Sequence, residues 1–164
     1  MIEISDGRQE DIPAIIDIAE KTWWSTYAEI LAKEQIEYML RAIYAPDILR
    51  KQIDNEDQTY LLLRDEQGPQ GFASFGPRKE DPKTFKVHKI YVLPGNQKKG
   101  YGRALIEEIT RRLRAQGTGM VDLNVNRFNP ARTFYEKLGF HVIREEDVPI
   151  GPYWMNDYVM RLEF

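Results

Sequence analysis

A strand-to-helix junction in the middle of the chain reads IYVLPGNQKKGYGR, from Ile90 to Arg103. Proline, glycine and asparagine at 94–96 predict the end of the strand, and a helix with apolar side chains at every fourth position follows. Two known phosphate-binding motifs do not fit this junction. A Walker A loop needs Lys and then Ser or Thr after Gly100, and a dinucleotide-binding motif needs a third glycine where the chain has Leu105.

The junction retains the pattern Q-x-x-G-x-G from Gln97 to Gly102, flanked by Lys98, Lys99 and Arg103. Glycines let backbone N–H groups approach an anion, the start of a helix offers unpaired N–H groups, and basic side chains supply countercharge. A pyrophosphate group matches this chemistry. A basic turn with a glycine-rich helix cap would have the same composition, so both interpretations stay open at this point.

The apolar pattern predicts one α/β domain over residues 1–164, with the element order β-α-α-β-β-β-α-β-α-β-β. The predicted sheet is mixed and mostly antiparallel, with six to seven strands flanked by about four helices. Strands are expected near 2–4, 60–64, 71–75, 85–93, 121–125, 140–145 and 153–163. Helices are expected near 12–23, 36–43, 101–113 and 129–138, with one further helical turn between 46 and 53.

Two of these elements carry more detailed expectations. The last helix has Asn129 as its predicted N-cap, Pro130 as its first residue and Gly139 as the left-handed residue that ends it. Over 121–126, Val and Leu alternate with Asp and Asn, which predicts a strand with one face in solvent.

Composition excludes several classes of function. The 164 residues include no cysteine, so the chain has no thiolate nucleophile and no cysteine-based metal site. With His88 and His141 as the two histidines, we expect no metal centre. No apolar run approaches the ~18 residues of a membrane span, and the first residues lack a signal-peptide core, which predicts a cytoplasmic protein without membrane contact. A pI near 5.5 gives no support to nucleic-acid binding.

The net charge of −3 hides an uneven distribution. Residues 1–60 hold 13 acidic and 6 basic side chains, whereas residues 61–164 hold 13 acidic and 17 basic ones. Such asymmetry is a hint about partners of opposite charge. Chance sorting of solvated faces would produce it equally well.

Two motifs resemble those of a known family. Ile90 to Pro94, followed by Gln97-x-x-Gly100-x-Gly102, resembles motif A of the GNAT superfamily of acetyl-CoA-dependent N-acetyltransferases. The segment Asn129-Pro130-Ala131-x-x-Phe134-Tyr135-Glu136-Lys137-Leu138-Gly139-Phe140 is similar to the family's motif B. The resemblance covers residues 60–145 most clearly and implies the GNAT fold, acetyl-CoA as the acetyl donor, a small-molecule or peptide amine as the acceptor, and the homodimer that many relatives form.

The resemblance also implies a binding site for the coenzyme. The pantetheine arm would pair with the exposed backbone of Ile90, Tyr91 and Val92, where the strand parts from its neighbour at a bulge. The pyrophosphate would lie on the junction formed by Gln97, Lys98, Lys99, Gly100, Tyr101, Gly102 and Arg103. Asn126 and Asn129 compete for a further contact with pantetheine, because many relatives have this Asn three residues before the motif alanine and Asn129 is only two before it. A plain helix cap is the other explanation for Asn129.

The catalytic candidates are a phenol and an imidazole. The resemblance gives Tyr135 the role of general acid that protonates the departing CoA thiolate, although an aromatic packing residue would also fit this position. Some relatives have a glutamate base where this chain has Lys86. His88, two residues further on, is the candidate base because an imidazole titrates near pH 6.5. A solvated histidine, or Asp122 with a chain of waters, are the alternatives.

The acceptor side is expected on the first two helices, the loop between them and the loop between the last two strands. The candidate residues there are Trp24, Tyr27, Glu29 and Tyr153. Aromatic rings and nearby carboxylates attract cations, so we expect a polyamine, a lysine-like amine or a peptide N-terminus. A non-catalytic acyl-CoA sensor and a nucleotide-binding interaction module are the alternative functions.

Overall fold

A computed structural model describes residues 1–164, with the exception of the side chain of Gln97. The helices are α1 (Ile12–Tyr27), α2 (Lys33–Tyr44), α3 (Pro46–Asp54), α4 (Tyr101–Ala115) and α5 (Ala131–Lys137). The strands are β1 (Glu3–Asp6), β2 (Thr59–Asp65), β3 (Gly68–Pro77), β4 (Phe85–Val92), β5 (Met120–Asn126), β6 (His141–Ile150) and β7 (Tyr153–Glu163). The prediction of an α/β fold with a mixed, mostly antiparallel sheet is confirmed.

The seven strands form one sheet in the order β1-β2-β3-β4-β5-β7-β6. Every neighbouring pair is antiparallel except β4 and β5, which are parallel. The described pairing between these two strands consists of Lys86 with Asp122 and Val87 with Leu123. Beyond these pairs the two strands separate, and this separation positions the site.

Helices cover both faces of the sheet, so the core has two parts. Leu61 and Leu63 of β2 pack in the part that contains α4 and α5. Tyr60 and Leu62 pack in the part that contains α1, α2 and α3. Because side chains alternate along a strand, a continuous apolar run is what a strand buried on both faces requires.

A bulge interrupts β4 at His88. Ser74 of β3 pairs with Lys89 while the next residue, Phe75, pairs with Val87, which leaves His88 as the extra residue. The bulge reverses the alternation of side chains, so Val87 packs on the face of α4 and Lys89 lies against Tyr60 on the face of α1 to α3. The bulge that the resemblance implied is therefore present on this strand.

Three local expectations are corrected by the structure. The further turn after Pro46 is a complete helix, α3. Helix α5 begins at Ala131, and Asn129 precedes it with its Oδ1 accepting a hydrogen bond from the Ala131 N–H at 2.9 Å. The polar face of β5 is not in solvent, because Asp122 is fully buried between two arginines. The left-handed Gly139 is confirmed, with a φ of 106°.

Candidate active site

The separation of β4 from β5 opens a cavity of about 870 Å³. The first residues beyond the last pair are His88 on β4 and Asn124 on β5, and both line the cavity. The other walls come from the end of α1, the start of α4 and the β5–α5 region. Backbone groups of β4 beyond the pairing with β5 face this space as strand-edge donors and acceptors.

The three residues expected to pair with pantetheine, Ile90, Tyr91 and Val92, all line the cavity. The ring of Tyr91 packs on the α1 face, 5.9 Å from Phe72 and 6.2 Å from Trp23 between ring centroids. These three residues therefore border the cavity beyond the last pair of β4 and β5.

The glycine-rich junction forms the start of α4. A short 3₁₀ turn, Gln97–Lys99, leads to Gly100, whose φ of 79° is the left-handed conformation that glycine adopts without strain. Gly102 lines the cavity, and a Cβ atom at this position would lie 3.0 Å from Cζ of Phe134. The glycine therefore keeps the helix start and the ring of Phe134 close together. The side chain of Gln97 lies outside the described part of the structure.

Basic side chains surround this helix start. Lys98 and Lys99 are exposed, and Arg103 is exposed with its guanidinium 3.9 Å from Glu107. The side chain of Tyr101 is engaged within the protein: its hydroxyl donates a hydrogen bond to Asp65 Oδ2 at 2.7 Å, which links the junction to the β2–β3 hairpin. This hydrogen bond raises the pKa of Tyr101 to about 12. Only the backbone of Tyr101 is left for a ligand at the junction.

The two candidate asparagines differ in position. Asn129 lines the cavity, and its side chain lies beside the Tyr27 hydroxyl. Asn126 does not belong to the described cavity wall. Its Oδ1 accepts from the N–H of Phe128 at 2.9 Å and its Nδ2 lies 3.5 Å from the Met155 sulfur. Both polar atoms of Asn126 are therefore engaged within the protein.

Tyr135 lines the cavity from α5 and is 8% exposed. Its ring is held edge-on by Phe134 and Phe140, with centroids 5.3 and 5.8 Å away. Burial, with a smaller effect of Tyr27, raises the pKa of Tyr135 well above its usual value. The phenol is therefore protonated at neutral pH and can donate a proton or a hydrogen bond into the cavity.

His88 is a neutral hydrogen-bond acceptor at the apex of the cleft. Burial lowers its pKa to about 4, helped by Lys86 and Lys89 and opposed by hydrogen bonds to the backbone of Pro77 and Gly76. The buried Nε2 atom has no hydrogen-bond partner among the described residues. The alternative base, Asp122, is held by Arg161 at 2.7 Å and by Arg78 at 3.2 Å and is not part of the described cavity wall.

Lys89 is a cavity residue that the sequence did not single out. Its side chain is 6% exposed, and Nζ donates to Gln58 Oε1 at 3.0 Å. The rings of Tyr60 and Tyr44 lie 5.2 and 5.9 Å from Nζ. Burial, with a smaller effect of Lys86, lowers the pKa of Lys89 to about 7. The only sequence signal was a lysine inside an otherwise apolar strand.

The expected acceptor residues divide into two pairs. Tyr27 and Glu29, at the end of α1 and just after it, line the cavity. Trp24 and Tyr153 are not on the described wall: Trp24 lies on a more exposed side of α1, and Tyr153 packs against Tyr38 of α2 at 5.4 Å. Polar residues of α1 that sequence reasoning missed complete this wall, namely Thr22, Ser25 and Thr26.

Two other kinds of feature are absent from the described residues. Among the described side chains, no group of three or more histidines, aspartates and glutamates could hold a metal ion. None of the described helices combines the length and the apolar character that a membrane crossing requires.

The sheet, with its separated central parallel strands and the glycine-rich helix start beside them, is shared with known acetyltransferases that use a CoA donor. The family model described as "Acetyltransferase (GNAT) domain" matches residues 27–156, and the chain belongs to this family. It is an acetyl-CoA-dependent N-acetyltransferase with the GNAT fold.

Similar proteins cover nearly the whole chain. An uncharacterized N-acetyltransferase of Bacillus subtilis, YuaI, is 28% identical over 92% of this chain and 87% of its own length. A spermidine N(1)-acetyltransferase of Thermoplasma acidophilum is 27% identical over 86% of this chain and 89% of its own. The crystal structure of the PaiA N-acetyltransferase from Thermoplasma acidophilum in complex with coenzyme A has a TM-score of 0.84 and 27% identity, and covers 100% of this chain and 99% of that one.

Proposed function

We propose that the cleft between β4 and β5 transfers an acetyl group from acetyl-CoA to a cationic primary amine of the polyamine type. The observation that carries this proposal is the position of Tyr135 and Glu29 on the walls of one cavity. The phenol of Tyr135 can give a proton to the departing sulfur, and the carboxylate of Glu29 can attract a second positive charge on the acceptor. The similarity to a spermidine N(1)-acetyltransferase supports the same class of acceptor.

Acetyl-CoA, when bound, supplies the activated acetyl carbon and a thiolate leaving group. The backbone of Ile90, Tyr91 and Val92 would hold the pantetheine arm, since it borders the cavity without a β5 partner. The N–H groups from Gly100 to Arg103 would bind the pyrophosphate, because the first N–H groups of a helix lack intrahelical acceptors. Lys98 and Lys99 would supply countercharge, and Gln97 stays a candidate from its position in the motif.

Asn129 is the better candidate for the additional contact with pantetheine. It lines the cavity, whereas both polar atoms of Asn126 already have partners in the protein. Its Oδ1 accepts from Ala131 and retains a second lone pair. Asn129 would therefore cap α5 and contact the coenzyme at the same time.

Tyr135 would act as the general acid. A thiol has a pKa of about 8.5, so a thiolate leaving group needs a proton or a strong hydrogen bond as the C–S bond breaks. The buried phenol is protonated and lies on the cavity wall, so it can donate a proton to a sulfur atom held in the cavity. His88 stays the candidate base from its place on the cavity wall, and its lowered pKa keeps the ring neutral at pH 7.

Glu29 would recognise a second positive charge on the acceptor. An exposed carboxylate contributes up to about 1 kcal/mol to such a pair, which corresponds to roughly fivefold in affinity. Glu29→Gln should therefore raise KM for spermidine about three- to fivefold at unchanged kcat. Glu34→Gln on α2, outside the described cavity wall, is the matched control and should leave both constants as in the wild type.

The measurement is CoA release with acetyl-CoA and a panel of acceptors: spermidine, putrescine, lysine, a peptide with a free N-terminus and glucosamine. Turnover should be fastest with the amines that carry two or more positive charges. Turnover confined to glucosamine, or an unchanged KM for spermidine in Glu29→Gln, would contradict a polyamine-type acceptor.

A further inference from the structure

The start of α4 contains two glycines, which allow its shape but do not fix it. Gly100 precedes the helix with a φ of 79°, and Gly102 is the second residue of the helix. Glycine loses more conformational freedom on ordering than any other residue. Among the described side chains, none caps the first N–H groups of α4. Contacts from outside the glycine-rich segment are therefore what can fix the direction of these N–H groups.

The β2–β3 hairpin contacts the junction on both sides of the glycine-rich segment. Before it, Asn96 Nδ2 donates to Gln70 Oε1 at 2.8 Å, and the N–H of Leu93 donates to the Gln70 backbone oxygen at 2.8 Å. After Gly100, the Tyr101 hydroxyl donates to Asp65 Oδ2 at 2.7 Å. Gln70 belongs to β3 and Asp65 is the last residue of β2. One hairpin thus holds the junction at two points.

Tyr101 connects the hairpin to the backbone of the helix start. Its side chain is 8% exposed and packs in the part of the core that contains α4. Since Tyr101 is also the first residue of α4, its backbone N–H is one of the groups without an intrahelical acceptor. A change in the direction of the first turn would draw the hydroxyl away from Asp65. The hydrogen bond therefore opposes such a change.

Asp65 acts as an acceptor for groups of the protein. Its Oδ2 accepts from Tyr101, and its Oδ1 accepts from the N–H of Gln67 at 2.8 Å. The hydrogen bond from Tyr101, with smaller effects of the Gln67 N–H and Lys99, lowers the pKa of Asp65. The carboxylate is therefore ionised at neutral pH, and through its charge alone it would oppose an anion at the start of α4. This arrangement favours a role for Asp65 in holding Tyr101.

We propose that Tyr101 and Asp65 are positioning residues for acetyl-CoA, and that their hydrogen bond holds the N–H groups at the start of α4 in the arrangement that binds the pyrophosphate. The inference deepens the proposed function and rests on the position given there to the pyrophosphate. Without this bond, the junction would spend part of its time in arrangements that do not bind. The apparent Kd rises in inverse proportion to the fraction of molecules in the binding arrangement.

The first test is the Kd for coenzyme A, measured by calorimetry without an acceptor. Tyr101→Phe removes the hydroxyl and keeps the ring. It should raise the Kd by about five- to tenfold, which corresponds to a binding arrangement populated about 10–20% of the time. At saturating acetyl-CoA, kcat with spermidine should stay within about twofold of the wild type, because the bound coenzyme restores the arrangement. A change in KM for acetyl-CoA without a change in kcat is thus expected.

Substitutions of Asp65 separate positioning from charge. Asp65→Ala removes a negative charge, which by electrostatics alone would lower the Kd for an anionic coenzyme. Positioning predicts the opposite, a rise of about five- to tenfold as in Tyr101→Phe. Asp65→Asn retains an oxygen for the Gln67 N–H and an NH₂ group that can donate to the Tyr101 hydroxyl oxygen, so its Kd should stay within about twofold of the wild type.

Glu66→Ala is the matched control for the loss of charge. It removes the neighbouring exposed carboxylate, which pairs with the amino terminus and has no described contact with the junction. Its Kd for coenzyme A should not rise. A rise equal to that of Asp65→Ala would contradict a specific role for the bond between Asp65 and Tyr101.

Lys98→Glu distinguishes failure of this inference from failure of the proposed function. It reverses a charge assigned to the pyrophosphate and should raise the Kd whatever fixes the junction. If Lys98→Glu raises the Kd while Tyr101→Phe and Asp65→Ala do not, the assignment is overturned and Tyr101 has a packing role alone. An unchanged Kd in Lys98→Glu and Tyr101→Phe alike would contradict the proposed position of the pyrophosphate, and the inference would fail with it.

Discussion

At the scale of single residues, the environment of Tyr135 fixes the position and the protonation state of its phenol. Phe134 and Phe140 fix its ring, and burial keeps its hydroxyl protonated. The raised pKa has a consequence for pH dependence, because the phenol of the free protein stays protonated beyond pH 10. Ionisation of Tyr135 should therefore cause no loss of activity between pH 7 and pH 10.

Tyr135→Phe should lower kcat by roughly 10²-fold, the usual range for the loss of a general acid, with little change in the Kd for CoA. The measurement is CoA release with saturating spermidine, as a function of pH. Tyr158→Phe, on the β7 strand, is the control for removing a hydroxyl outside the described cavity wall. A Tyr135→Phe protein with full kcat across this pH range would exclude the phenol as the acid.

Sequence patterns and the family resemblance predicted residues of contiguous motifs and missed contacts between side chains on different strands. Gly102 was found from the glycine-rich helix start, and Tyr135 from the resemblance of the segment 129–140 to a contiguous family motif. Asn124 and Asp157 lie 33 positions apart and meet only through the register of β5 and β7. No periodicity in one segment contains that register, so these contacts could not be predicted from either strand alone.

At the scale of elements, the bulge in β4 determines the surroundings of two titratable groups. His88 is the extra residue of the bulge, and the side chain of Lys89 consequently lies on the face of the sheet that α1 to α3 cover. A regular strand would put Lys89 on the same side as Val87, in the apolar packing of α4. The amino-acid pattern predicted the strand but not the side that each residue faces after the bulge.

This burial makes stability depend on pH. The folded-state pKa of Lys89, about 7, lies below that of the unfolded chain, so the unfolded state binds more protons between these values. The free energy of unfolding should therefore rise as pH increases above 7, by up to about 1 kcal/mol per pH unit from this group. Above the unfolded pKa of about 10.4 the lysine is neutral in both states, so the free energy of unfolding no longer changes with pH through this group.

Lys89→Met should remove this contribution and make the protein more stable than the wild type at pH 7, with the difference shrinking towards pH 9. Urea unfolding at pH 7, 8 and 9 measures it, with Lys79→Met as an exposed control. Parallel pH profiles for the wild type and Lys89→Met would show that Lys89 is protonated alike in both states.

At the scale of the whole molecule, the uneven charge has a structural counterpart. Residues 1–60, with 13 acidic and 6 basic side chains, contain β1 and the three helices that cover one face of the sheet. The wall with Tyr27 and Glu29 belongs to this acidic half, whereas Lys98, Lys99 and Arg103 flank the helix start. This uneven distribution of charged side chains suits an anionic donor on one side of the cleft and a cationic acceptor on the other.

The overall architecture was predictable because motif A, motif B and the apolar runs are local signals that agree with one another. The position at which β4 and β5 separate could not be predicted, since it depends on pairing between segments more than 30 residues apart. The single-domain organisation, the cytoplasmic location and the homodimer stay predictions.

Mass spectrometry of spermidine after incubation with acetyl-CoA and the wild-type protein tests the proposed transfer most directly. We expect spermidine to gain one acetyl group, with one free CoA thiol for each acetyl group transferred. A protein that binds acetyl-CoA and leaves spermidine unmodified, as a non-catalytic sensor would, or that releases acetate to water, would contradict acetyl transfer to a polyamine in this cleft.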